Sequence, residues 1–367
     1  MPEKLKDLFF SPLFVEELGR RIAEVYARFD QQAFRDLVVD EEWQHRELKA
    51  KMHHVAHCLG ESLPADFPQA LEILRAVAPS FQGFDALVFP DFVARYGLEH
   101  WELSMPALAE FTPLGSSEFA VRPFIAHDPE RAMAYLEVWA GDTNEHVRRL
   151  ASEGCRPRLP WGIALQAFKR DPRPILPILE KLKDDDSPYV RKSVANNLND
   201  ISKDHPDLVL DLAEQWYGYS ERTDWIVKHA CRSILKAGNE RALQLFGFCD
   251  PGQLRVLSLS LSTDRLAIGK ALEYQVELKV SAQATSKVRL DVRVDYRRAS
   301  GKTAGKVFAI REGDLEPGIH LISRSLSFAD QSTRKHHPGQ HAMTIIVNGV
   351  EMAKASFELV DATMPDD

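Results

Sequence analysis

Near Phe248-Cys249-Asp250-Pro251-Gly252 the spacing of apolar residues changes, from a recurrence every three to four positions to alternation at every second position. The first spacing gives a helix one apolar face and the second gives a strand one, and neither pattern serves the other element. The chain must therefore build two kinds of structure on two cores, a helical one over 1–250 and a strand-built one over 254–361. With 367 residues and 44% apolar content it has enough material to fill both.

Within the helical part three segments follow one pattern: Val147-Arg148-Arg149-Leu150-Ala151, Val190-Arg191-Lys192-Ser193-Val194-Ala195 and Val227-Lys228-His229-Ala230-Cys231-Arg232. Each is preceded by an acid (Asp142, Asp186, Asp224) suited to the first turn of a helix, where a carboxylate meets free amides and the positive dipole end. A second amphipathic segment lies upstream of each, at 129–140, 172–183 and 205–217, so the repeating unit is a helix pair. Segments 67–77, 84–96, 101–111 and 117–126 extend the array with less regular spacing. Their spacing is near that of HEAT repeats, which stack into a solenoid with a long concave binding surface.

Beyond Gly252 the runs RVLSLSLS, EYQVELKV, VRLDVRVDY, KVFAI, HLISRSLSF, AMTIIVNG and AKASFELV are short, alternating or β-branched, and divided by turn residues. About seven such strands fit an immunoglobulin-like β sandwich. The expected fold class is thus an α-helical HEAT-like repeat solenoid followed by an all-β immunoglobulin-like domain.

The net charge of −8 argues against a polyanionic partner only when taken globally. From Asn144 to Arg173 seven basic residues face three acidic ones, and from Lys287 to His337 eleven face six. Such asymmetry suits particular surfaces that meet a polyanion, although solvated faces give the same count. The four cysteines (Cys58, Cys155, Cys231, Cys249) lie too far apart in sequence for a close-paired zinc or redox motif and read as reduced core thiols. Charged residues interrupt every apolar run of MPEKLKDLFFSPLFVEEL, leaving no signal-peptide core or membrane span, so the expected location is cytoplasmic. His53 and His57 stand one helical turn apart, a metal-compatible spacing with few acids nearby, and no metal or cofactor is expected.

The segment with the most chemistry is 145–161. A helix carrying Arg148 and Arg149 reaches Glu153, stops at Gly154, and enters Cys155-Arg156-Pro157-Arg158-Leu159-Pro160-Trp161. Gly and Pro are ordinary stop signals, but two arginines and a tryptophan packed into the stop are not. Arginine suits phosphate and tryptophan suits contact with a cationic base. Trp161 read by itself is equally suited to a core between repeats, and Glu153 to a surface acid.

The run RRLASEGCRPRLPW resembles the most characteristic stretch of AlkC-type DNA alkylation repair glycosylases, a HEAT-like repeat family related to the AlkD type. The resemblance continues through ELKAKMHHVAHCLGESLP, through Gly115-Ser116-Ser117-Glu118-Phe119-Ala120-Val121-Arg122-Pro123-Phe124, and into the β domain at Val294-Asp295-Tyr296, Lys306-Val307-Phe308, the basic stretch 333–341 and Val347-Asn348-Gly349. It spans essentially the whole chain, and the β domain points to the AlkC branch.

What the resemblance implies is a monomeric glycosylase that removes cationic alkylated bases, 3-methyladenine and 3-methylcytosine, from duplex DNA without drawing the base into a deep pocket. Glu118 and Glu153 would be the carboxylates at the lesion and Trp161 the aromatic contact. Arg148, Arg149, Arg156, Arg158, Arg191, Arg334 and Lys335 are the candidate DNA contacts, with Arg156 and Arg158 outside the repeat pattern and Arg334 and Lys335 on a basic loop. Two other readings stand beside it: a non-catalytic sensor of damaged DNA and a protein-binding scaffold.

Overall fold

The computed structural model describes residues 8–331 and 335–361. The chain forms two compact units, one made of residues up to Val209 with Trp216–Ala230, the other of Leu210–Gln215 and the chain from Cys231 onward. The second unit thus starts some twenty residues before the change of apolar period. Residues 231–249 are partly helical, yet Lys287 Nζ donates to Phe246 O at 2.8 Å and Asn348 Nδ2 donates to Cys249 O at 2.7 Å. Periodicity reports which element a segment forms, not which core it joins.

In the first unit helices form at Phe67–Val77, Val88–Tyr96, Trp101–Phe111, Val121–His127 and Pro129–Trp139. The last three repeats place their second helices at Glu145–Gly154, Pro188–Ile201 and Glu221–Ala230. Proline opens Pro129–Trp139 and Pro188–Ile201, where its missing N–H has no helical partner to lose. The aspartates expected at these helix starts act less directly. Asn144 is the cap of Glu145–Gly154, accepting from His146 N–H at 2.9 Å, and Asp142 in turn accepts from Asn144 N–H at 2.7 Å. Asp186 pairs with Arg222, while its neighbour Asp185 accepts from Ser187 N–H at 2.8 Å. Asp224, in the first turn of Glu221–Ala230, accepts from Gly218 N–H at 2.6 Å. No described helix is long and apolar enough to cross a membrane.

The second unit carries eight strands among the described residues: β1 (Leu254–Leu261), β2 (Arg265–Ala267), β3 (Ala271–Val280), β4 (Ser286–Arg297), β5 (Thr303–Leu315), β6 (Gly318–Ser327), β7 (Gly339–Val347) and β8 (Val350–Val360). They form a three-stranded sheet, β1-β3-β6, and a five-stranded sheet, β2-β8-β7-β4-β5. Alternation in β3 buries Leu272, Tyr274, Val276, Leu278 and Val280, which share a core with Val292, Val294, Ile345, Phe357 and Leu359 of the other sheet. The strand that periodicity missed is β2, whose three residues pair in parallel with Glu358–Val360 and are too short to show a period.

The β7–β8 hairpin turns at Asn348-Gly349, both with positive φ (43° and 79°), the pairing that matches strand twist in a tight hairpin. Gly238, also at positive φ (73°), lies against it so closely that a Cβ there would meet Gly349 O at 2.7 Å and its Cα at 2.8 Å. Gly238→Ala is expected to cost about 2–3 kcal/mol in urea unfolding, from backbone strain plus displacement of the hairpin. Gly301→Ala, at φ 76° with open space around it, should cost only about 1 kcal/mol. Equal losses in the two variants would refute the close-approach argument.

Candidate functional site

Helix Glu145–Gly154 packs on helix Pro188–Ile201, and the contact is partly polar. Arg149 and Glu153 stand at i and i+4 on the first helix, with Arg156 just past its end, and Ser193, Asn197 and Asp200 follow one another at i, i+4 and i+7 on the second. Spacing of this kind puts the residues of each helix on one face. The two polar stripes meet. Arg156 pairs with Glu153 at 2.6 Å and with Asp200 at 2.9 Å, and Ser193 Oγ donates to the other Glu153 oxygen at 2.6 Å. Arg149 lies 3.5 Å from Glu153 and 2.5 Å from Glu118, and Lys203 closes the far end on Asp200 at 2.9 Å. The result is an alternating chain of charge: Glu118, Arg149, Glu153, Arg156, Asp200, Lys203.

Alternation is what makes this burial tolerable, since an unpaired carboxylate or guanidinium inside a protein is prohibitive. Glu153, Arg156 and Asp200 are all buried. For Arg156, burial by itself disfavours the cation, yet the Glu153 and Asp200 carboxylates more than offset it and hold the guanidinium above its ordinary pKa.

The Glu118 end of the chain opens to solvent. Glu118, Arg149, His146, Phe119, Trp161 and Tyr189 line a cleft of about 530 Å³. Ser116 Oγ donates to Glu118 at 3.1 Å and accepts from Arg149 at 2.8 Å, fixing both side chains. Arg149 also lies 4.9 Å over the Tyr189 ring, whose phenol burial pushes up in pKa. Glu153 is not on the cleft wall but stands behind Arg149. The two expected carboxylates therefore belong to one network, one at the surface and one a layer below it.

Trp161 is 61% exposed on the cleft rim, not buried between repeats. Its backbone is left-handed (φ 64°), a conformation that side chains other than glycine and asparagine seldom adopt. Two neighbours brace the loop that carries it. Fully buried Arg122 donates to Gly154 O at 2.8 Å and to Ile163 O at 2.7 Å, and Lys49 Nζ donates to Trp161 O at 2.8 Å. Burial pulls the Arg122 guanidinium down to about 10 and lowers the Lys49 amine, against the pull of the Asp91 carboxylate.

The remaining expected DNA contacts are placed differently from one another. Arg148 is bound to Asp185 at 2.6 Å and to the carbonyls of Asp142 and Thr143, and Arg191 donates to the carbonyls of Asp185 and Asp186. Both repeat-position arginines thus tie down the turns between helices. Arg156, expected at phosphate, is turned inward by its two carboxylate partners. Arg158 keeps a third of its side chain exposed but forms a forked pair with Asp204. Lys335 is exposed, and Arg334 lies outside the described residues. His53 is bonded to Asp91 at 2.9 Å and His57 lies beside the Tyr96 hydroxyl, and no group of three or more possible metal ligands occurs among the described residues.

Sequence reading missed Asp200, Ser193, Asn197 and Tyr189. The signal was present as the i, i+4, i+7 polar stripe inside an otherwise apolar helix face shared with Val190, Val194 and Ile201. All four cysteines have thiols pushed up in pKa by burial, Cys58, Cys155 and Cys231 to about 12.

Replacing Arg156 by Met would leave Glu153 and Asp200 buried without their shared cation. The expected loss is about 3–5 kcal/mol in chemical unfolding. Arg158→Met, which removes a pair in partial contact with water, should lose no more than about 1 kcal/mol. Comparable losses in the two variants would contradict the internal role given to Arg156.

Two family models match the chain, one described as DNA alkylation repair enzyme over residues 115–234, the other as the C-terminal Ig-like domain of the uncharacterised protein YhaZ over residues 255–361. The uncharacterized protein YhaZ of Bacillus subtilis (strain 168) is 44% identical over 356 residues, covering 97% of this chain and 99% of that relative. Among solved structures, the alkylpurine DNA glycosylase AlkC of Pseudomonas fluorescens, bound to DNA containing an abasic site analog, is 39% identical, with a TM-score of 0.93 over 98% of this chain and 100% of that one. The match takes in the helix pair that holds the charge chain, the Trp161 loop and the β domain alike, and on this evidence the chain belongs to the AlkC-type family of DNA alkylation repair glycosylases.

Proposed function

We propose that this protein hydrolyses the N-glycosidic bond of cationic alkylated bases, 3-methyladenine and 3-methylcytosine, in duplex DNA, acting as a monomer and without a metal. The observation that carries this reading is the Glu118 carboxylate at the cleft wall, held by Arg149 and Ser116, with exposed Trp161 lining the same cleft.

A base that already carries a positive charge needs no proton to leave. When the C1′–N bond breaks, both electrons depart with the base, which becomes neutral, and the positive charge passes to the sugar as an oxocarbenium ion. Catalysis then consists of stabilising that ion and delivering water to it. Glu118 is the group placed to do both, its free lone pairs orienting the water and accepting its proton. Glu153 acts from behind, keeping Arg149 in place and adding negative potential to the site. The Trp161 indole offers an electron-rich face to the charged base. The site is an open cleft with an exposed rim, which suits a lesion approached within the duplex instead of one swallowed into a closed pocket. Phosphate contacts fall to Arg149 on the cleft wall, to Arg158, which keeps a third of its side chain exposed, and to exposed Lys335, with Arg334 next to Lys335 in sequence.

On methylated duplex DNA the wild type is expected to release 3-methyladenine and 3-methylcytosine. Glu118→Gln should slow release by about 10²-fold or more at saturating DNA, because the carboxylate acts on the transition state and not on binding. Glu153→Gln and Trp161→Ala should each lose at least about tenfold. Affinity for duplex DNA should weaken steeply as salt is raised. Binding without release by the wild type would leave a damage sensor, and affinity without salt dependence would leave a protein-binding scaffold.

A further inference from the structure

The stretch Glu47-Leu48-Lys49 opens a helix, Leu48–Ser62, that contributes no residue to the expected chemistry, yet one of its side chains reaches the cleft. Lys49 Nζ donates to the carbonyl of Trp161, 112 residues away in sequence, at 2.8 Å. The same ammonium lies 4.7 Å from the centre of the Phe119 ring, next to Glu118. We propose that Lys49 is a positioning residue for base excision, which sets the Trp161 indole at the cleft rim by holding its carbonyl.

The indole is 61% exposed, so packing does not fix it. Its peptide is left-handed, and such a conformation in a residue with a side chain persists only where the surroundings over-determine it. The flanks of the loop are held from within: Gly162 N–H donates to Leu159 O at 3.1 Å, Leu165 N–H donates to Pro157 O at 3.2 Å, and Arg122 ties Gly154 O to Ile163 O. Gly162 itself lies so close to Leu159 and Arg122, at 3.1 and 3.2 Å from a notional Cβ, that the loop has little freedom to slide at that point. Of the peptide that follows Trp161, these bonds hold only the N–H end, through Leu159 O. The Lys49 hydrogen bond holds its carbonyl end, so the peptide plane is fixed from both sides. Phe119 restricts the ammonium on one side, so the aromatic rim and the wall carrying Glu118 are registered through a single cation.

This inference rests on the glycosylase reading, and the test separates the two. Lys49→Met and Lys49→Arg are compared with wild type in the full chain, alone and combined with Trp161→Ala. Hydrogen exchange of the 157–165 peptide, which needs no activity, is expected to quicken in Lys49→Met and to return toward wild type in Lys49→Arg. The single-turnover rate of 3-methyladenine release at saturating DNA should fall about tenfold in Lys49→Met, with the dissociation constant for undamaged duplex changed less than about twofold. In the Trp161→Ala background Lys49→Met should have no further effect, because a residue acting through another is silent once the other is gone. Unchanged exchange in Lys49→Met would overturn the proposal. So would an equal fall in rate in both backgrounds, or a loss of duplex affinity with the saturated rate intact, which would make Lys49 a phosphate contact. Absence of base release by the wild type would sink the glycosylase reading and leave the exchange result to decide the positioning claim alone.

Discussion

The site depends on one guanidinium, that of Arg156, buried between two carboxylates. Glu153 and Asp200 belong to adjacent repeats, and without a shared cation their helices could not approach with both acids ionised. Once Arg156 is in place, Glu153 can stand under Arg149, Arg149 can stand beside Glu118, and an acid is available at the surface with its conformation already set. The Glu118 carboxylate at the cleft is thus the last member of a series of charges that begins inside the protein. Preorganisation of this kind removes the cost of orienting a carboxylate during the reaction.

Much of this was legible in the residues. The change of apolar period near Phe248 separated helices from strands, and Pro129 and the Gly154 stop marked helix limits that the structure retains. Glu118, Glu153 and Trp161, distant in sequence, do lie in one neighbourhood. What sequence could not supply was direction. Arg156 and Arg158 look alike in the run RPRLPW, yet one points into the protein and the other toward its surface, since their partners Asp200 and Asp204 lie on the next repeat. Asp200 escaped notice because a single acid in a helical pattern is usually solvated, and only pairing across the helix contact gives it meaning. The packing of residues 246 and 249 with the second unit is illegible for a related reason: the bonds from Lys287 and Asn348 that hold them are long-range and leave no periodic trace.

The repeat architecture itself explains the division of labour among the arginines. Arg148 and Arg191 occupy equivalent positions and do equivalent work, gripping the carbonyls of the turns before their own helices. Arg149 and Lys192 occupy the next equivalent position, but only Arg149 has an acid on either side of it. A repeated scaffold has acquired a unique site by charge placement at one repeat, with the backbone plan of the array left unchanged.

The state of the cysteines has a consequence for the conditions in which such a protein must operate. Electrophiles that methylate nucleobases also attack sulfur, and the species they attack is the thiolate. A thiol with a pKa of about 12 is ionised to roughly one part in 10⁵ at neutral pH, and Cys58, Cys155 and Cys231 are in addition shielded from collision. These three thiols therefore offer poor targets to alkylating electrophiles, in a chain whose family repairs alkylated DNA.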